Sequence, residues 1–190
     1  MANKIKYGLK NVYYAVATIA DDGSATYETP VKFPGAVSLS LDPQGETSPF
    51  YADNIIYYTG VSNSGYEGDL EMARVIDSFK TDCLGYKTGG NGIMYESANA
   101  EPVHFALLFQ FEGDVKATRH VMYNCVATRP SASGSTKNEN VEPETESVTI
   151  TATSIYVSAL NDDIVKAETN ESTTATVYDA WFTAVTIPTV

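Results

Sequence analysis

Three acidic residues at alternate positions, Glu67, Asp69 and Glu71, form the densest group of potential catalytic or metal-binding side chains in this sequence. If the segment is a strand, all three carboxylates lie on one face. Such a row could bind Ca²⁺, supply the acid and base of a glycoside hydrolase, or form a charged wall. Calcium ligands must converge from a loop, however, and glycosidase carboxylates must face each other across a cleft. We therefore interpret the row first as a solvated sheet face and second as a charged wall.

Other residues that could do chemistry are sparse. The two histidines, His104 and His120, lie in predicted strands, and neither has the spacing of a zinc site or the nucleophile elbow of a serine hydrolase. The segment KTGGNG at 87–92 lacks the residue order of a phosphate-binding loop. Cys83 and Cys125 match no metal or redox spacing, so we expect both to be buried. We predict no catalytic residue, no metal site and no cofactor.

The charge of the chain argues against a nucleic-acid binder. Its 190 residues carry a net charge of −12, and residues 131–190 contain two basic and nine acidic side chains. Tight binding of phosphates needs clustered Lys and Arg. The acidic surface could instead repel DNA that moves past it, or simply keep the protein soluble. Within this region, residues 131–147 are polar and acidic and are expected to form a flexible excursion.

The elements that position these residues are predicted to be mainly β-strands. Tyr, Val, Thr and Ile are abundant, and apolar residues alternate with polar ones in about ten segments. The principal predicted strands are 9–19, 25–29, 36–41, 54–60, 66–76, 93–97, 102–112, 117–128, 148–157 and 176–187. The apolar run at 102–112 is nearly continuous, which predicts a strand covered on both faces.

The acidic row leads into a predicted short helix at 77–84. Asp77 is placed to cap its N-terminus, Phe79 and Cys83 share one face, and Gly85 suits the residue after its last turn. A single helix over 69–84 is the alternative. The choice decides whether the acids lie on a sheet or on a helix.

A long loop is predicted at 42–54, because two prolines and a glycine at its start oppose regular strand pairing. Phe50 and Tyr51 lie near its tip, which is unusual for apolar residues. These side chains either fold back onto the core or dock on a neighbouring molecule. The sequence favours neither alternative.

Several segments in the same order resemble the major tail proteins (tail tube proteins) of long-tailed, non-contractile phages of Gram-positive bacteria. They are GYEGDLEMARVIDSFKTDCLG at 65–85, FALLFQFEGD at 105–114, RHVMYNCVATRP at 119–130, FYADN at 50–54 and the polar stretch before VTITATS. The resemblance spans roughly 35–187. It implies one tail-tube domain over 1–190: a two-sheet β-sandwich or flattened barrel, flanked by one short helix at 77–84, with extended loops and arms. The immunoglobulin-like C-terminal domain of some members is not expected here.

The resemblance further implies a structural virion protein without enzymatic activity. Six copies would form a ring, and stacked rings would form a tube through which the genome passes without specific binding. The implied partners are other copies of the chain, a tape measure protein, a tail tip or initiator complex and a tail terminator. The protein would be made in the cytoplasm of the bacterial host, without contact with a membrane, and would function in the phage tail.

Two sets of residues are candidates for these roles. Loop 42–54 would contact other subunits or the next ring, with Pro49, Phe50, Tyr51 and Asp53 as its contact candidates. Glu67, Asp69 and Glu71 are the candidates for the face that lines the lumen.

Two rival functions stay open. A tube protein of a phage-derived injection or secretion system would share the architecture but pass effectors, and its genome neighbours would identify it. A carbohydrate-binding β-sandwich would need a row of exposed aromatic side chains, whereas Trp181 lies in a terminal strand that is predicted to be core.

Overall fold

A computed structural model describes residues 3–136 and 143–189 of the chain, and β-strands are its dominant element. The fifteen described strands are β1 (Lys6–Ile19), β2 (Ala25–Tyr27), β3 (Val31–Lys32), β4 (Ala36–Gln44), β5 (Thr47–Ala52), β6 (Ile55–Val61), β7 (Gly65–Met72), β8 (Lys87–Thr88), β9 (Met94–Tyr95), β10 (Phe105–Gly113), β11 (Thr118–Ala127), β12 (Glu146–Thr153), β13 (Ile155–Val157), β14 (Asp162–Ile164) and β15 (Lys166–Glu168). The described helices are α1 (Asp77–Asp82) and α2 (Ala175–Ala180).

Nine of these strands form one antiparallel sheet, whose main order is β2-β1-β10-β11-β12-β7-β4. β3 adds to β1, and β15 adds to β11. The other six strands form three two-stranded ribbons, β5–β6, β8–β9 and β13–β14. The predicted mainly β class is confirmed, as one large sheet with small accessory ribbons. Across the described residues the sheet does not close into a barrel.

Both faces of the large sheet are covered at β10, as the apolar run at 102–112 predicts. Along β10, Phe105 and Leu107 point into one core cluster, whereas Ala106 and Leu108 point into a second. Side chains of α1 complete the first cluster, and side chains of β13 and the C-terminal segment complete the second. Each fully buried large apolar side chain contributes about 1.5–3 kcal/mol of stability.

The predicted flanking helix is present as α1, but it is fixed by packing and not by a cap. Ile76 is the N-cap residue and no side chain caps the helix, so the predicted cap by Asp77 is wrong. Phe79 is fully buried and stacks on Phe33 with ring centroids 4.6 Å apart. The alternative of one helix over 69–84 is also wrong, because β7 pairs with β4 on one side and β12 on the other.

The first residues of β4 depart from the predicted alternation. The sequence predicts Val37, Leu39 and Leu41 on one face. A register shift between Ala36 and Ser38 instead turns Val37 outward, where its side chain is exposed. Ala36 packs against the first core cluster together with Leu39 and Leu41.

The predicted last strand, 176–187, is wrong. Its first residues form α2, and the rest of the segment has no regular secondary structure. Contacts with β11 explain the helix: the Arg119 guanidinium lies over the rings of Tyr178 and Phe182, which are one helical turn apart. Trp181 is buried, and its indole N–H donates to the carbonyl of His120.

The predicted excursion 131–147 is only partly described. Residues 131–136 and 143–145 have no regular secondary structure, and β12 begins at Glu146. Residues 137–142 lie outside the described residues. The flexibility of this segment stays a prediction.

Candidate functional site: an exposed hairpin and an acidic sheet face

The region predicted as a loop at 42–54 is mostly regular structure. Pro43 continues β4 and lies opposite Tyr66 of β7, so the predicted lack of pairing at the start is wrong. Proline is tolerated there because β4 is the outer strand at its end of the sheet. The strands β5 and β6 then form a β-hairpin with a turn at Asp53 and Asn54. Both turn residues have positive φ angles, 50° and 64°, as in the type I′ turn that suits the twist of a hairpin.

This hairpin extends the β4–β7 pair beyond the large sheet. The amide of Ser64 donates to the Gln44 carbonyl over 2.8 Å, and that of Ser62 donates to the Glu46 carbonyl over 3.0 Å. A Cβ on Gly45 would lie 2.1 Å from the Ser62 carbonyl oxygen, so only glycine fits at the junction. The ribbon from Glu46 to the turn spans about 25 Å, at about 3.3 Å per residue.

The hairpin carries a concentration of exposed apolar side chains. The large residues that are more than half exposed there are Phe50, Tyr51, Ile55, Ile56, Tyr57, Tyr58 and Val61. Because successive residues of a strand point to opposite faces, the ribbon is apolar on both sides. An isolated two-stranded ribbon is marginally stable in water, and an apolar patch of this kind marks an interaction site.

The fate of the predicted contact residues follows from this geometry. Phe50 and Tyr51 are 60% and 62% exposed, so the alternative in which they fold back onto the core is wrong. Pro49 is also exposed, opposite Thr59, and Asp53 lies in the turn. The four candidates therefore cluster at the outer end of the hairpin.

The predicted acidic row lies on the outer face of β7. The inner face carries Leu70 and Met72, which are fully buried in the first core cluster. Residues directly opposite each other in an antiparallel pair share a face. The facing positions on the two neighbouring strands are Asp42, Ser40 and Ser38 on β4, and Thr151, Thr149 and Ser147 on β12. This surface, the acidic face, contains only carboxylates and hydroxyls at these nine positions.

Hydroxyl groups fix two of its carboxylates. Ser38 and Thr145 donate to the two oxygens of Glu71 over 2.7 and 2.6 Å, and these bonds lower the pKa of Glu71. Thr149 donates to Asp69 over 2.7 Å. Ser38 lies on β4, Thr149 lies on β12 and Thr145 directly precedes β12, so the carboxylates are held apart along the sheet. The acidic face can present fixed negative charge, but it does not gather ligands around an ion.

The other side chains that could do chemistry, the histidines and cysteines, make structural contacts or are buried. The Nδ1 atom of His104 lies 2.6 Å from the amide oxygen of Asn124. His120 stacks on Phe109 and pairs with Glu168. The two cysteines are buried as predicted, and burial raises the pKa of Cys125 to about 12. Within residues 3–136 and 143–189, no cluster of three or more His, Cys, Asp or Glu side chains could hold a metal ion.

Two features of the surface are not predicted from the sequence. The segment Ile55–Val61 is a strand as predicted, but nothing in its pattern shows that its side chains stay exposed. The one signal in the sequence is its run of four successive apolar residues. A strand that is apolar on both faces must be covered on both, here by a second molecule if not by the core. The second feature is a cavity between distant strands, lined by Lys6, His120 and Lys166 among others. No local sequence pattern predicts this cavity, because Lys6 is more than a hundred residues away from His120 and Lys166 in the sequence and only the sheet brings them together.

Comparisons with known proteins identify the family. The family model described as phage tail tube protein matches residues 2–187. No individual curated protein matches the chain. In the part of the chain that the structure describes, no helix is long and apolar enough to span a membrane. The family match confirms the resemblance noted in the sequence and extends it to nearly the whole length, and we conclude that the chain belongs to the phage tail tube protein family.

Proposed function

We propose that this protein is the repeating subunit of the tail tube of a non-contractile phage tail. The whole chain, 1–190, acts as one tail-tube domain, six copies form a ring, and rings stack into the tube. The observation that carries this proposal, beside the family match, is the exposed apolar hairpin. A surface of this kind, projecting from the edge of a sheet, needs a second molecule to cover it.

The hairpin is the proposed contact between subunits or rings. Pro49, Phe50, Tyr51 and Asp53 lie at its outer end and would meet the neighbouring copy first. The hairpin of one copy would bind a different surface of the next copy. A heterologous contact of this kind gives closed rings where the rotation closes and open-ended stacks where it does not.

The acidic face is the proposed lining of the lumen. None of the nine side chains of the acidic face is cationic, so none of them can pair with a phosphate. Glu67, Asp69 and Glu71 would repel the DNA backbone, and the hydroxyls of β12 would keep the wall hydrated. DNA affinity depends on phosphate neutralisation by Lys and Arg, so such a wall lets DNA slide without retention.

The protein is proposed to act without catalysis and without a cofactor. After synthesis in the host cytoplasm it would join the virion, where its partners are its own copies, the tape measure protein, the tail tip or initiator complex and the tail terminator. Trp181 is buried and cannot serve the carbohydrate-binding alternative; most of the exposed aromatic side chains lie on the hairpin, where we assign them to contacts between subunits. Passage of DNA, as opposed to effectors, is the use that the acidic face favours.

Assembly of the purified protein tests the proposal. We expect concentrated wild-type protein to form rings or tubes with a central hole in negative-stain electron microscopy. The double variant Phe50→Ser/Tyr51→Ser should stay monomeric in sedimentation, because it removes two exposed aromatic side chains from the contact.

The matched control is Ile93→Ser/Tyr95→Ser, which removes two exposed apolar side chains beside and within the β8–β9 ribbon. This control should assemble like the wild type. A wild-type protein that stays monomeric at every concentration and salt contradicts the tube proposal. Equal loss of assembly in both double variants contradicts the role of the hairpin.

A further inference from the structure

A cavity of about 310 Å³ opens where the large sheet curves back towards itself. Its lining comes from β4 and β7 at one end of the sheet, from β1 near the other end, and from β10, β11 and β15 between them. β1 and β4 approach each other without pairing, which leaves a seam. The cavity lies in that seam and shares only Ser40 with the acidic face and no residue with the hairpin.

We call this cavity the seam pocket. Its floor is apolar and aromatic. The rings of Phe109, Phe111 and His120 form a triangular cluster, with the two phenylalanine centroids 5.1 and 5.4 Å from the imidazole and 5.4 Å from each other. Leu39 and Leu41 also line the pocket. The pocket therefore suits an apolar or aromatic group.

The rim of the seam pocket is cationic. The Lys6 ammonium lies 4.8 Å from the centroid of Phe111, and the Lys166 ammonium lies 4.8 Å from that of Tyr66. Neither ammonium lies within ion-pair distance of a described carboxylate. The one acidic residue that lines the pocket, Glu168, pairs with His120 over 3.2 Å. The lining thus contains two lysines and one carboxylate, and this rim is net positive on a chain of net charge −12.

The end of the hairpin has the complementary chemistry. It places Phe50 and Tyr51 next to Asp53, and residues 45–64 contain two acidic residues and no lysine or arginine. An aromatic group beside a carboxylate fits an apolar floor with a cationic rim, since complementary charge fixes which surfaces dock and in which register.

The hairpin cannot fill the pocket of its own chain. β4 lines the pocket with Leu39, Ser40 and Leu41, and the same strand then runs on into the hairpin. A continuously hydrogen-bonded ribbon leads away from the pocket, and its turn lies about a dozen residues, or about 40 Å, further along. An occupant with this chemistry must come from a second copy.

We propose that the seam pocket is the acceptor for the β5–β6 hairpin of a second copy of this chain. The inference rests on the proposed role of the hairpin in assembly, and it names the surface that the hairpin binds. Tyr51 occupies the aromatic floor, Phe50 packs beside the pocket from the other face of the ribbon, and Asp53 pairs with the ammonium groups of Lys6 and Lys166. Donor and acceptor then lie on different surfaces of one chain, which is what an open-ended stack requires.

Charge reversal at the rim is the first test. In Lys6→Glu/Lys166→Glu the rim would repel Asp53, and we expect the protein concentration needed for assembly to rise more than about tenfold. The control Lys32→Glu/Lys87→Glu makes the same change in net charge at two other exposed lysines and should assemble like the wild type. All four lysines are exposed, so both variants should keep the wild-type thermal unfolding midpoint.

Cross-linking between two proteins that each carry one added cysteine is the second test. Ala52→Cys protein is mixed with Lys166→Cys protein under assembly conditions, and a short bis-maleimide is added; both native cysteines are buried and so protected. We expect a covalent dimer in this mixture. The control mixture of Ala52→Cys with Lys87→Cys, which loses the same charge at another exposed site, should give little.

The outcomes separate the two proposals. If Phe50→Ser/Tyr51→Ser blocks assembly while Lys6→Glu/Lys166→Glu does not, or if Ala52→Cys cross-links equally to both partners, the hairpin docks elsewhere. The seam-pocket inference is then wrong and the tube function stands. If the wild-type protein never assembles, the tube function itself fails.

Discussion

The imidazole of His120 is partly buried against the rings of Phe109 and Phe111, and it gives the stability of the protein a pH dependence. Burial lowers its pKa, although the neighbouring carboxylate of Glu168 opposes the shift; Lys6 and Lys166 lower the pKa further. The unfolded chain therefore binds a proton at this site more readily than the folded one. The stability that depends on neutral His120 is fully present above the ordinary histidine pKa of about 6.5, and it declines as the pH falls through that value.

We expect the free energy of unfolding in urea to fall between about pH 7.5 and about pH 5.5, and to fall less in the variant His120→Gln. Glutamine keeps a polar group near Glu168 but cannot take up the proton. Carboxylates such as Glu71, whose lowered pKa gives stability that is lost only at more acidic pH, should not contribute in this window. An equal decline in both proteins would assign the pH dependence to other groups.

At the same scale, the sequence predicts some residue positions and not others. The period of two places Glu67, Asp69 and Glu71 on one face, because adjacent strand residues alternate. The convergence of Lys6 and Lys166 depends on which strands pair. Nothing in the local pattern encodes that pairing, so the seam pocket is visible only in the folded chain.

The element α1 is too short to be stable alone, since helices below about 12–15 residues are marginal even in favourable sequences. Its stability comes from Phe79, which stacks on Phe33 and meets Tyr14 and Phe105 edge-on at 5.1 and 5.3 Å. We expect Phe79→Ala to lower the free energy of unfolding by about 3–5 kcal/mol, as for other buried phenylalanines. Equilibrium unfolding in urea measures this loss.

The matched variant Asp77→Ala tests the capping alternative at the same end of the helix. Asp77 makes no capping bond and only an exposed ion pair with Arg74 at 3.6 Å, so the loss should stay within about 0.5 kcal/mol. A loss of about 1 kcal/mol or more would instead indicate an N-cap.

Prediction of the other elements succeeded where local pattern decides and failed where tertiary contacts do. The strands β10 and β11 follow from their apolar runs. The segment 176–187 alternates like a strand, yet Arg119 and the second core select the helix α2. At Pro43 the local rule against proline in a strand is overridden, because an edge strand leaves one side of its backbone unpaired.

For the whole molecule, the hairpin is separable from the core. It pairs with no strand of the large sheet, and its large side chains are exposed, so the sheet does not depend on it. We expect replacement of residues 45–64 by Asn-Gly to give a folded monomer, because Gln44 and Gly65 are paired and that dipeptide supports a two-residue turn between them. Circular dichroism and thermal unfolding should match the wild type, while assembly is lost. Tubes of normal appearance from this variant would show that the hairpin is dispensable.

The charge of the acidic face can be tested on assembled tubes. We expect the variant Glu67→Lys/Asp69→Lys to convert a wall that repels DNA into one that retains it, since every phosphate paired with a lysine releases counterions and strengthens binding. The control Glu28→Lys/Glu101→Lys has the same net charge but places the lysines at exposed positions outside the acidic face. Short fluorescent duplexes would be incubated with each tube, and retention would be measured by sedimentation across a salt series. Retention that is specific to the first variant and falls steeply with salt supports a lumen lined by β7, whereas equal retention by both variants places the acidic face on the outside of the tube.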